Sequence, residues 1–303
     1  MGFFWLVTTT RRERWVQADQ IVSLLISVLF SVSTLVIIAL GLAVIFGMMR
    51  IINLAHGEFL MLGAFAVLAA TRAGLPIWPA MLLAPLVVGV LGLVIERLVI
   101  RHLYGRILDT MLATWGLSLV LTQLATVIFG PATQGIATPL GSVRIGAYSI
   151  AQYSLLLIVA AILLLALTYL VFTRTRYGLM AQATTQLPEM ASALGIDVQR
   201  INRVTFAFGS ALAGAGGALL APISGVVPTM GVAFVAKAFM TVIVGGQALL
   251  VGSTAAAGLL GTVDNVVSYL TTPFLGQGAV LVVAIVLLRL LPQGLSGRWK
   301  RQL

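Results

Sequence analysis

Nine apolar runs, separated by short polar stretches, govern what this 303-residue chain can become. The first, Ile21 to Phe46, contains only Ser, Thr and Gly breaks. At about 1.5 Å per residue a helix of that length spans a bilayer. The others are Phe59–Ala70, Met81–Ile95, Leu108–Phe129, Tyr153–Phe172, Val204–Ala221, Ala233–Leu250, Ala255–Leu270 and Gly278–Leu291. The chain is 60% hydrophobic and 9% charged, against about 25% charged in a soluble domain. One soluble core cannot hide that much apolar surface. The fold class is therefore all-α, a polytopic transmembrane helical bundle of eight to nine membrane segments in a lipid bilayer.

The polar stretches set the topology. Residues 1–20 form an N-terminal arm carrying Arg11, Arg12 and Arg14, and 21–291 form the membrane domain. Glu96, Arg97, Arg101, His102 and Arg106 make one charged loop. Residues 173–203 form the longest hydrophilic segment, and 292–303 a basic tail with Arg298, Lys300 and Arg301. Arg and Lys gather in cytoplasmic loops, so these three belong on the cytoplasmic side. Gly130–Gln152, rich in Gly, Pro, Ala and Thr, belongs outside. Counting back from these loops puts residues 1–20 outside, against their positive charge. Either the charge rule fails there, or an early segment is interrupted or re-entrant.

The net charge of +10 reflects this loop bias. No basic patch with interleaved aromatics occurs, which argues against nucleic acid. With no Cys, and with His56 and His102 far apart, nothing supports a metal site. The two lysines, Lys237 and Lys300, sit in no phosphate-binding loop, so the chain holds no nucleotide in that way. No nucleophile–base pair is present either. An enzyme and a bound cofactor are not expected. The long apolar run from Ile21 lacks a cleavage pattern and does not read as a cleaved leader.

Met48–Gly63 is the place to expect the irregular segment. Arg50, Asn53, His56 and Glu58 fall within nine residues of an apolar chain. A charge at mid-bilayer costs about 2.5–3.5 kcal/mol on insertion scales, so such a cluster must face protein, water or the interface. Asn53, His56 and Glu58 either hold a broken helix together or touch a polar solute in a translocation path. Lys237, the one lysine inside an apolar run, has Glu58 and Asp264 as candidate partners, or lies at the interface. In the 173–203 segment, Pro188 at the start and Gly195 at the end frame a two-turn helix. Glu189 suits its first turn. Its small apolar face of Met190, Ala191 and Leu194 fits a groove on a soluble partner, or a lipid surface.

The run Gly41–Phe65, GLAVIFGMMRIINLAHGEFLMLGAF, resembles the LivH-type inner-membrane permeases of branched-chain amino-acid ABC importers. Tyr104–Gln123 is similar to the urea-importer branch of that family. Phe206–Pro222, Val235–Gly246 and Leu291–Leu295 extend the likeness over nearly the whole chain. The resemblance implies a permease with interrupted helices in the inner membrane. It implies a second, LivM-type permease, two cytoplasmic ATP-binding subunits and a periplasmic solute-binding protein as partners. Residues 173–203 would be the ATPase-coupling loop, with Pro188, Glu189, Met190, Ala191, Leu194 and Gly195 as its coupling residues. The solute would be a branched-chain amino acid or urea, moved by ATP-driven alternating access. Two stretches depart from the family. Gln182, Leu187 and Pro188 replace the coupling loop's usual Arg, Asn and Arg, and Ala248 replaces a Gly, which would set a Cβ at a close-packed site. A stand-alone channel or ion-coupled carrier is the alternative; uptake that survives loss of the ATPases and collapses with the proton gradient would mark it.

Overall fold

A computed structural model describes residues 3–145, 148–246 and 248–297, with side chains placed from residue 20 onward apart from a few positions. The basic residues of the tail lie outside the described residues.

Eleven α-helices are present among the described residues: α1 (Phe3–Met49), α2 (His56–Arg72), α3 (Ile77–Leu98), α4 (Ile107–Phe129), α5 (Gln152–Arg174), α6 (Arg176–Gln186), α7 (Pro188–Ala193), α8 (Val198–Ser224), α9 (Met230–Gly245), α10 (Leu249–Leu270) and α11 (Pro273–Leu290). Seven are long and apolar enough to cross a membrane. The expected arm 1–20 shows no backbone break from the first span: α1 is continuous from Phe3. The expected run Ala233–Leu250 is interrupted, with α9 ending at Gly245 and α10 opening at Leu249. Arg200 and Arg203, placed in the hydrophilic segment, already belong to α8. In the outer loop, strands β1 (Ser142–Ile145) and β2 (Tyr148–Ala151) form a small antiparallel hairpin.

Two shorter helices, α2 and α9, each follow a non-helical stretch. After Met49 the chain is non-helical to Ala55, then α2 begins. Residues 50–55 end in a turn at Leu54 and Ala55, and the seventeen-residue α2 that follows is about 25 Å long at about 1.5 Å per residue. Residues 225–229 and α9 repeat this order in the second half of the chain. Thr185 of α6 donates to the Met48 carbonyl, and Arg203 of α8 pairs with Glu96 of α3. The end of α1, the end of α3 and the 173–203 segment therefore share one face. Gln20 donates to Tyr269 at the other end of α10. Gln20 therefore lies on the face opposite the Arg-rich loops.

The order α1, break, α2, α3, α4 recurs inverted as α8, break, α9, α10, α11. α3 packs on α8 as α10 packs on α1, and α2 packs on α8 as α9 packs on α1. This is the inverted-repeat plan that places broken helices at mid-membrane. The broken crossings meet where α2 and α9 begin. A Cβ on Gly57 would overlap the Gly231 backbone, and one on Gly231 would crowd Gly57. Without a hydrophobic driving force in lipid, such close backbone approach supplies the packing energy. Gly57→Val is accordingly expected to abolish the folded monomer, since neither backbone can yield. Size-exclusion chromatography of the tagged protein in detergent checks this, and a normal monodisperse peak would contradict it.

Burial follows the same plan. Of the spanning windows of α1 and α8, 67% is buried, against 11% for α4 and α11. The core is α1, α2, α8 and α9, with Phe59 set edge-to-face on Phe206. α4, α5 and α11 form the rim and present Leu112, Leu119, Leu163 and Val282 outward.

Candidate functional site

The first break is built by its own polar atoms. Arg50 takes a left-handed φ of 54°, the one described non-glycine residue to do so. A non-glycine side chain in that region costs roughly 1–2 kcal/mol and persists only where the surroundings impose it. Ala55 N–H donates to Asn53 Oδ1 at 3.1 Å, and Leu54 N–H to Thr114 Oγ1 of α4 at 3.1 Å. His56 Nε2 lies 2.9 Å from the Ile38 carbonyl. A carbonyl only accepts, so Nε2 carries the proton and Nδ1 is left as an acceptor. The imidazole thereby ties the start of α2 to the middle of α1.

Asn53, His56 and Glu58 are 0%, 0% and 1% exposed. Each keeps one polar atom without a hydrogen-bond partner: Asn53 Nδ2, His56 Nδ1 and Glu58 Oε2. Buried polar groups are normally paired, because an orphan costs its desolvation. The Glu58 carboxyl faces the hydroxyls of Ser118 and Thr122 on α4. The structure thus groups the three residues that the sequence singles out around this break.

Lys237 and Asp264 are not part of that group. Lys237 lies half-buried on α9, and among the described residues it pairs with neither carboxylate. Asp264 sits on α10 beside Gly276 of α11, toward the opposite face. Arg50→Val is expected to lower thermal stability, whereas Arg50→Gly is expected to preserve it, since only glycine adopts φ 54° without a Cβ penalty. A pair of melting curves in detergent measures the difference, and equal losses would show that the charge matters and the dihedral does not.

The charged loop after α3 differs from a solvated one. Glu96 is fully buried in the last turn of α3. It accepts from Tyr104 Oη at 2.5 Å and from Arg203 Nε at 3.2 Å. Burial and the adjacent carboxylate push the Tyr104 hydroxyl well above its ordinary pKa, so it remains a donor. Sequence reading missed this cluster because Glu96 is flanked by exposed arginines. The remaining described ion pair, Arg106 with Asp109, is exposed at 3.7 Å and contributes little.

The 173–203 segment is ordered by caps. Thr175 caps α6 through the Gly178 N–H, and Gln182 Nε2 donates to the Phe172 carbonyl. Gln182 therefore has an internal role that secures α6 to the end of α5. Pro188 stands in the first turn of α7. Gly195 has φ 84°, its N–H bonds to Ser192, and the Ile196 N–H bonds to Ala191. That pair of bonds is a Schellman stop. Leu187, Met190 and Leu194 are 63%, 59% and 77% exposed, while Ala191 is 3% exposed. The expected apolar face of Met190, Ala191 and Leu194 is therefore corrected. Ala191 turns inward, and Leu187 takes its place at the i, i+3, i+7 spacing of one helical face.

The Gly245–Ala248 departure is also relocated. Ala248 has φ −80°, which any residue adopts, and its N–H bonds to Ser296 Oγ. Close packing falls instead on Gly246, at φ 80° against Gly294, and on Gly245 against Gly252. Gln247 lies outside the described residues.

On the shared Arg-rich face, a cavity of about 670 Å³ is lined by Met48, Arg50, Gln182, Thr185 and Gly246 among others. It joins the 173–203 segment, the first break and the turn before α10.

A family model described as the permease component of branched-chain amino acid transport systems matches residues 24–291. The chain is 29% identical to the high-affinity branched-chain amino acid transport permease LivH of Salmonella typhimurium, over 88% of this chain and 92% of the relative. It is 30% identical to the corresponding protein BraD of Pseudomonas aeruginosa, with the same shares. A probable LivH of Methanocaldococcus jannaschii is 27% identical, over 88% of this chain and 90% of the relative. No solved structure matches the chain.

Proposed function

We propose that this chain, which belongs to the permease-component family of branched-chain amino acid transport systems, is the membrane subunit of an ATP-driven importer for a branched-chain amino acid or urea. It is a multi-pass inner-membrane transport component and not an enzyme, like the permeases it matches. In the reading offered here, two cytoplasmic ATP-binding subunits seat on α7. A second, LivM-type permease packs against the exposed rim, and a periplasmic binding protein delivers solute to the outer face.

One observation carries the coupling part of this reading. The exposed face of Leu187, Met190 and Leu194 is one short chain of bonds away from the mid-membrane break. α7 follows α6 directly, and Thr185 of α6 bonds to the Met48 carbonyl at 2.6 Å. Met48 precedes the strained Arg50, and the non-helical chain then leads to Asn53 and His56. A push on α7 would reach the start of α2 through α6, the Thr185–Met48 bond and the non-helical residues 50–55. Asn53, His56 and Glu58 hold the break in place, and the Glu58 side faces the path between α2 and the rim helix α4.

The test is uptake by proteoliposomes holding this permease with its partner permease, ATPases and binding protein, supplied with leucine or urea. The expected result is uptake that needs internal ATP and ignores proton ionophores. Uptake that persists without the ATPases and collapses with the proton gradient would overturn it in favour of an ion-coupled carrier.

A further inference from the structure

We propose that Glu58, Ser118 and Thr122 form a solute site in the seam between α2 and α4, which takes an N–H donor group: the ammonium of an amino acid or the amide of urea. This rests on the transport reading above. Five hydroxyl residues recur every fourth position along α4: Thr110, Thr114, Ser118, Thr122 and Thr126. Hydroxyls in membrane helices ordinarily turn back onto the carbonyl four residues earlier. Thr110 donates to Arg106 O, Thr114 to Thr110 O and Thr126 to Thr122 O. Ser118 and Thr122 make no such bond among the described residues and face the Glu58 carboxyl instead.

Glu58 is the second observation. It is 1% exposed and its Oε2 has no partner. It stands in the first turn of α2, where the helix dipole favours a negative group. No Lys, Arg or His among the described residues pairs with it. The seam therefore offers one carboxyl and two hydroxyl oxygens, and no described ion pair occupies the carboxyl. Its complement is a group rich in N–H donors. Of the helices around the break, α4 is the weakly buried one, so the seam can open with little packing lost.

The chain contains no cysteine, so single thiols report this seam directly. Ser118→Cys and Thr122→Cys, each in the full complex in proteoliposomes, are reacted with a cationic methanethiosulfonate during ATP turnover. Leu112→Cys, exposed on another part of α4, is the control. Leucine or urea is supplied with the binding protein. The expected result is labelling at 118 or 122 that slows about ten-fold with the transported solute, while the control is indifferent. The solute that protects identifies the source of the N–H group. Glu58→Gln is expected to lower uptake per ATP hydrolysed by about ten- to a hundred-fold, the range for losing a hydrogen bond to a charged group. Labelling at both positions that is absent, or unaffected by a solute the complex does transport, would overturn the site and leave the importer reading intact. Loss of ATP-dependent uptake in the unmodified complex would overturn the importer reading itself.

Discussion

Met190→Asp combined with Leu194→Asp is expected to cut solute uptake to background while the permease still inserts and folds. Both side chains are more than half exposed on α7, so the fold loses almost nothing when they change. A docked partner would lose two apolar contacts of about 2 kcal/mol each, roughly a thousand-fold in affinity, and would gain two carboxylates to desolvate. Co-purification of the ATPases with the variant measures the first effect, and ATP-dependent uptake the second. Normal uptake would show that α7 is a lipid-surface helix. Ala191→Asp gives the contrast. It is 3% exposed, so its expected defect is a destabilised permease even before any partner binds.

That contrast shows where sequence reading stops. Pro188 and Gly195 marked the two ends of α7 because their backbone chemistry is local. The Pro ring suits a first turn, and glycine alone suits φ 84° at the stop. Which face α7 turns outward depends on where α8 lies beneath it, and no local signal carries that. Ala191 was therefore placed on the wrong side. The same division holds for the membrane part. Apolar runs of span length were legible because the bilayer sets their length, and the cluster at Arg50–Glu58 was legible as a break because burying it in a continuous lipid-facing helix is too costly. The second break was not, since residues 225–229 hold no charge. Its marks are the positive φ of Gly225 and the bridge from Val226 to Gln134. Only the structure shows Gly57 set against Gly231.

The inverted repeat also exposes an asymmetry that composition alone hides. On the Arg-rich face the α3–α8 contact is closed by Glu96, Tyr104 and Arg203, an ionic cluster around a buried carboxylate. On the opposite face the equivalent α10–α1 contact is closed by Asn265 donating to Ser27 and Ser31, and by Gln20 donating to Tyr269. Neutral bonds of this kind contribute about 1 kcal/mol each, less than bonds to a charged group. The tighter end is the one next to the 173–203 segment.

Removing that cluster's carboxylate should therefore have a large effect. Glu96→Ala leaves the Arg203 guanidinium and the Tyr104 hydroxyl without their shared acceptor, at an expected cost of about 3 kcal/mol. Arg203 is 28% exposed and can recruit water, which holds the loss at the lower end of the range for a broken buried pair. Glu96→Gln keeps an acceptor for Tyr104 and should cost less. Glu96→Met with Arg203→Met removes both charges at once and is expected to recover most of the loss, because no unpaired charge remains. Thermal melts of the unmodified permease, Glu96→Met, Arg203→Met and the double variant complete the cycle. A double variant as unstable as the sum of its single variants would mean that the two residues act independently. Where the double variant recovers stability but not uptake, the ion pair transmits force between α8 and α3 in addition to holding them together.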